Sequence, residues 1–260
     1  MISIQIFSNA LCAAIAALFF VCQAGAVGLV SRDVGHSPAL SLRPVVDLVA
    51  AGIVPGVFGS HAIPVNSFPA AKRWADVYSR ISECAADGQC AEGSMRDITK
   101  SSAGLSFAAK LRLVNTQVNA LLRYGSDRSV YGAFDHWAAP AESLARRAGD
   151  CEDFAILKMA ALKSMGIPAA SMSLVVVQVR RRNAFHAVLS VNTSNGVFIL
   201  DNVSDAVRLD NQVTDYLPLL SFSTNRTWIH GTKSGRVQIA GAMLPFSRIA
   251  PGEPADRLPR

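Results

Sequence analysis

The segment Gly149-Asp150-Cys151-Glu152-Asp153 sets a thiol at the start of a helix, because Asp150 is a good N-cap and an apolar run to Leu162 follows it. A helix N-terminus stabilises a thiolate through its unpaired N–H groups and the partial positive charge of the helix dipole. The same N–H groups can receive the oxyanion formed on an attacked carbonyl, so Cys151 is the candidate nucleophile for acyl chemistry. Its neighbours oppose it. Asp150, Glu152 and Asp153 all raise a thiol's pKa, so either a cation or a base offsets them or the cysteine is inert.

The candidate base is His186 in Ala184-Phe185-His186-Ala187-Val188-Leu189, where strand alternation places it on the face opposite Phe185 and Ala187. A lone histidine in an apolar strand is equally the signature of a satisfied core residue. Asp201 ends the run Val197-Phe198-Ile199-Leu200-Asp201, where it either orients the imidazole through its second ring nitrogen or only forms the turn. A helix-start cysteine, a strand histidine and an acid on the next strand, in that order, supply a nucleophile, its base and an orienter.

Positioning these groups requires a helix packed on strands. Trp74, Val77, Tyr78 and Ile81 at three-and-four spacing predict a helix over 72–83, and Leu111, Val114, Val118, Leu121 and Leu122 predict another over 105–124. Gly166 and Pro168 end the helix that starts at Cys151. The period then changes to that of strands over 173–180, 184–191 and 197–201, with a further strand or two expected over 229–243. Helices followed by an antiparallel sheet define an α+β fold. Residues 125–149 read as an aromatic loop, with Trp137 either walling a cleft or anchoring the core.

The chain has 260 residues, 50% hydrophobic and 17% charged, which supports one sizeable core and excludes a disordered chain. Its net charge of +6 is not gathered into a stripe, and Arg180-Arg181-Arg182 reads as a turn, so no nucleic-acid partner is expected. Residues 1–26 carry no Asp, Glu, Lys or Arg and end in Ala24-Gly25-Ala26, the pattern of a cleaved signal peptide. The product of that cleavage is exported and not transmembrane; an uncleaved anchor is the other reading. Residues 27–70 read as an irregular N-terminal extension and 246–260 as a disordered tail. Cleavage leaves three cysteines, of which Cys84 and Cys90 close a short loop over Asp87-Gly88 as a disulfide, and Cys151 stands alone.

Asp135-His136-Trp137-Ala138-Ala139-Pro140-Ala141-Glu142, Gly149-Asp150-Cys151-Glu152-Asp153-Phe154-Ala155, His186-Ala187-Val188-Leu189 and Leu200-Asp201-Asn202 together resemble the bacterial transglutaminase-like cysteine proteinases, a family that includes LapG-like periplasmic proteases. The resemblance implies a papain-like, transglutaminase-like core over residues 71–245, with Cys151 as nucleophile, His186 as general base and acid, and Asp201 as its orienter. It also implies a calcium ion beside the nucleophile, held by Asp150 and Glu152 and completed by Asp127 or Asp135. A periplasmic location and a protein substrate follow from the same likeness; a surface adhesin and an inner-membrane cyclic-dinucleotide receptor are the partners of the relatives. Two other activities fit the same residues: an acyl transferase or amidase using the triad, and a non-catalytic calcium-binding periplasmic protein.

Overall fold

The structure, a computed structural model, describes residues 54–66, 68–87, 93–231 and 249–252. The expected signal peptide, residues 1–26, lies outside the described residues, as do Cys90 and residues 253–260.

Among the described residues the strands are β1 (Val54–Pro55), β2 (His61–Val65), β3 (Arg123–Tyr124), β4 (Ala148–Gly149), β5 (Met172–Val179), β6 (Ala184–Thr193), β7 (Gly196–Asp201), β8 (Ser204–Leu209), β9 (Tyr216–Ser223) and β10 (Arg226–Gly231). Eight of them form one antiparallel sheet in the order β1-β2-β10-β9-β5-β6-β7-β8, while β3 and β4 make a short parallel bridge. The helices are α1 (Pro69–Asp87), α2 (Ser94–Ser101), α3 (Phe107–Leu121), α4 (Asp127–Val130), α5 (Pro140–Arg146) and α6 (Cys151–Ser164). This is the α+β arrangement expected from the order of periodicities.

Alternation along the central strands creates two cores. Leu174, Val176, Phe185, Ala187, Leu189 and Leu200 face the helices and pack with Trp74, Leu111 and Val114. Val175, Val177, Val188, Ile199 and Tyr216 form a smaller cluster on the other face. Helix α6 is the hub, with every residue from Cys151 to Leu162 buried. A helix enclosed on all sides needs apolar residues all round, which is what Phe154-Ala155-Ile156-Leu157 and Met159-Ala160-Ala161-Leu162 supply.

Three segments differ from their reading in the sequence. The end of the 27–70 extension is ordered sheet: β2 pairs with β10, with Pro64 opposite Trp228 and His61 opposite Gly231. Beyond the two-residue pairing with β1, its partner lies far along the chain, so local periodicity carries no trace of the longer pairing. Residues 125–149 hold α4, β4 and α5, the last opened by Pro140 at its first turn. At the other end Ile249 and Ala250 are buried, and Gly252 donates its N–H to the Phe185 carbonyl, so this part of the 246–260 tail is packed.

Candidate active site

Helix α6 starts where the sequence places it. Asp150 has extended dihedrals at the N-cap position, but its side chain makes no capping bond. Asp153, three residues on, bonds the Asp150 backbone N–H instead. The same carboxylate accepts the Ala138 N–H at 2.9 Å and the Tyr131 hydroxyl at 3.1 Å, tying the helix start to the segment before α5. Gly149 makes room for this arrangement, since a Cβ there would collide with the Asp153 carboxylate.

Cys151 is 1% exposed and is the free thiol among the described residues. Its Sγ accepts the Ala187 N–H and donates to Glu152 Oε2 at 3.3 Å. Burial and the neighbouring Asp150 charge push the thiol pKa well above its ordinary value. His186 Nε2 bonds Asp201 Oδ1 at 2.8 Å. Tyr216 donates its hydroxyl to Asp201 Oδ2 at 2.6 Å, and the Val203 N–H reaches Oδ1 at 3.1 Å. Burial alone would raise the Asp201 pKa, but the His186, Tyr216 and Val203 hydrogen bonds outweigh it and bring it to about 2. The Val203 bond is that of an Asx turn, so Asp201 forms the turn and holds the imidazole with one carboxylate.

The structure thus joins His186 to Asp201 and sets Cys151 against the backbone of the residue after His186. The thiol proton is directed to Glu152, not to His186. The register irregularity of β7 against β8 falls between Ile199 and Asp201, at the point where the carboxylate must turn toward the imidazole.

Around the helix start lie Asp127, Asp150, Glu152 and Asp153, all buried. Burial and mutual repulsion raise Asp150 to about 8, against a hydrogen bond to Glu152, and Asp153 to about 7, against its bond from the Ala138 N–H; Glu152 is driven well up by the same two causes. Ligand oxygens of Asp127, Asp135 and Glu152, and of Asp127, Asp150 and Asp153, fall within 4.8 Å of one another. Asp150 Oδ1 and Glu152 Oε1 are buried without a hydrogen-bond partner. Buried, crowded, all-oxygen donors with unsatisfied atoms fit a hard divalent cation such as calcium. Asp135 is already engaged by Arg73 and by Trp137 Nε1, and Trp137 itself is a buried anchor against Trp74 and Phe222.

Tyr216 and Asn119, whose amide bonds the Asp201 carbonyl at 3.0 Å, belong to no motif, and Tyr131 is visible in the sequence only as one ring of the aromatic 125–149 loop. A weak signal existed for Lys158, a lone charge inside the apolar run of α6. It is fully buried, and burial lowers its pKa to about 7.

A buried helix-start thiol beside a histidine–aspartate pair on an antiparallel sheet is the architecture of transglutaminase-like thiol enzymes. The family profile described as bacterial transglutaminase-like cysteine proteinase matches residues 78–234, and the chain belongs to that family; it is a cysteine peptidase. Among solved structures, Legionella pneumophila LapG is 25% identical, covering 57% of this chain and 87% of its own, with a TM-score of 0.48. Its calcium-bound form is 27% identical, covering 58% and 86%, with a TM-score of 0.47. The EGTA-treated form is 25% identical, covering 59% and 87%, with a TM-score of 0.49. A comparison with curated proteins gives no match.

Proposed function

We propose that the protein is an exported endopeptidase that cleaves a protein substrate through Cys151, His186 and Asp201. The observation that carries the reading is the 2.8 Å bond between His186 Nε2 and Asp201 Oδ1, next to a thiol at a helix start. With Nε2 committed to Asp201, Nδ1 is the nitrogen available to the thiol's proton. For this transfer Cys151 Sγ must turn from Glu152 toward His186. The thiolate then adds to the peptide carbonyl while the helix-start N–H of Cys151 receives the oxyanion. As the C–N bond breaks, the imidazolium returns its proton to the leaving amine. Water, deprotonated by His186, hydrolyses the thioester and releases the second fragment.

Asp150 and Glu152 would hold a calcium ion, completed by Asp127, whose oxygens group with Asp135 and Glu152 and with Asp150 and Asp153, or by Asp135, less suited because Arg73 and Trp137 already occupy its oxygens. Bound there, the ion supplies the positive charge that offsets the carboxylates around the thiol. Residues 1–26 support export to the periplasm, and Cys84 with Cys90 would form a disulfide there. A surface adhesin as substrate and an inner-membrane regulatory receptor are the partners the family likeness suggests. No helix among the described residues is long and apolar enough to cross a membrane.

The test is to compare new protein N-termini generated in an exported-protein fraction by wild-type and Cys151→Ser protein, with calcium present. Cleavages confined to the wild type support the reading. An amine-linked product with no cleaved chain would replace it with acyl transfer, and identical fractions would refute it.

A further inference from the structure

Strand β6 pairs with β7 only from Leu189 to Thr193, so the stretch Ala184–Val188 that carries His186 presents an edge not covered by β7. Such an edge can bind an extended chain by main-chain hydrogen bonds. On it, Gly252 donates its N–H to the Phe185 carbonyl at 3.2 Å. Phe185 immediately precedes the proposed base, and the other side of Gly252 lies against Asp150, which immediately precedes the proposed nucleophile. Tyr124 places its hydroxyl 3.5 Å from the Gly252 carbonyl. Gly252 and His186 line one cavity of about 380 Å³, whose walls include Phe185 and Tyr124. Buried Ile249 and Ala250 hold the segment in place.

Only glycine suits this position. A Cβ on Gly252 would lie 2.8 Å from Asp150 Oδ2, and its φ of +82° disfavours every other residue. We propose that the Phe185 edge is the peptide-binding subsite of the enzyme. It takes a polypeptide that turns at a glycine, in the left-handed conformation of Gly252, where its N–H meets the Phe185 carbonyl, and the chain's own Pro251-Gly252 occupies it as an internal substrate mimic. The inference rests on Cys151 being the nucleophile, because the segment lies against Asp150 and Phe185, the neighbours of the proposed nucleophile and base.

Two variants displace the mimic: Gly252→Val in the full chain, and a chain ending at Ala250 that keeps both buried residues. Alkylation of Cys151 should be about tenfold faster in each than in the wild type, the effect of removing roughly one favourable hydrogen-bonded contact. Acetyl-Ile-Ala-Pro-Gly-Glu-amide added to the shortened chain should slow it again, and the same peptide with valine for glycine should not. Equal, measurable alkylation rates in all three proteins would overturn the proposal. If Cys151 reacts in none of them, the nucleophile reading fails. The subsite is then judged by fluorescence anisotropy of the labelled glycine peptide on the shortened chain: selective binding upholds it, and no binding, or equal binding of the valine peptide, overturns it.

Discussion

Asp201 receives hydrogen bonds from His186, Tyr216 and Val203, and this concentration of donors keeps a buried carboxylate ionised. Its pKa is about 2 when folded, below the ordinary 3.8. The linked stability is therefore fully present above about pH 4 and is lost as the pH falls through 2. His186→Ala should abolish peptidase activity and destabilise the fold by about 1–3 kcal/mol near neutrality. That deficit, read by denaturant unfolding, should shrink as the pH approaches 2. Tyr216→Phe removes one donor while leaving the pair intact, so it should lower activity far less than His186→Ala does in the same assay. Lys158 is the opposite case: burial holds its folded pKa near 7 against the ordinary 10.5, so the unfolded chain binds the extra proton between those values and Lys158 makes stability rise with pH there. Its contribution approaches about 1.4 kcal/mol per pH unit. Lys158→Met should remove that slope and raise stability at pH 7, since Nζ has no hydrogen-bond partner to lose and the methionine keeps an apolar contact with the Phe154 ring. Unfolding at pH 7 and pH 9 measures both. Cys151, His186 and Asp201 were legible as residue types in order. Tyr216 was not, because its role depends on β9 lying on the same sheet face as Asp201.

Helix α6 and strands β5, β6 and β7 were readable because each keeps one pattern for its whole length: the helix from Asp150 to Gly166, the strands by their valine-rich runs. The observed Cys151–Ser164, Met172–Val179, Ala184–Thr193 and Gly196–Asp201 follow those patterns closely. Helix α3 is shorter than its apolar stripe suggested, ending at Leu121, since Arg123 and Tyr124 leave it to bridge β4. Strand β2 was hidden by its Gly- and Pro-rich surroundings. Besides a two-residue pairing with β1, its ladder is made with β10, more than 160 residues away in sequence, and no local rule reports such a partner. At the N-terminus of α6 the element depends on Gly149 giving space to Asp153, which ties the helix to Ala138 and Tyr131. Gly149→Ala should displace Asp153 and lower stability by about 1–3 kcal/mol, the cost of stranding buried partners. Thermal unfolding should show the loss, with a second fall in the rate of Cys151 alkylation if the helix start moves.

At the scale of the molecule, four buried carboxylates crowd the start of the central helix, a charge that the fold tolerates only by protonation or by a bound cation. Calcium should therefore raise the melting temperature, with stabilisation of about 2.7 kcal/mol at a hundredfold excess over its dissociation constant. A chelator should reverse it, and Asp127→Asn with Glu152→Gln should abolish the shift. The acidic cluster was half legible: Asp150 and Glu152 flank the cysteine, whereas Asp127 joins them only because α4 packs beside β4. In the proposed mechanism Cys151 is a nucleophile activated by His186. The most direct test is the pH dependence of its alkylation rate by iodoacetamide in calcium, in wild type and His186→Ala. A thiolate-dependent rate reaching its plateau below neutrality in the wild type, and shifted to the alkaline range by His186→Ala, is the predicted result. The same slow, alkaline profile in both proteins would contradict the account.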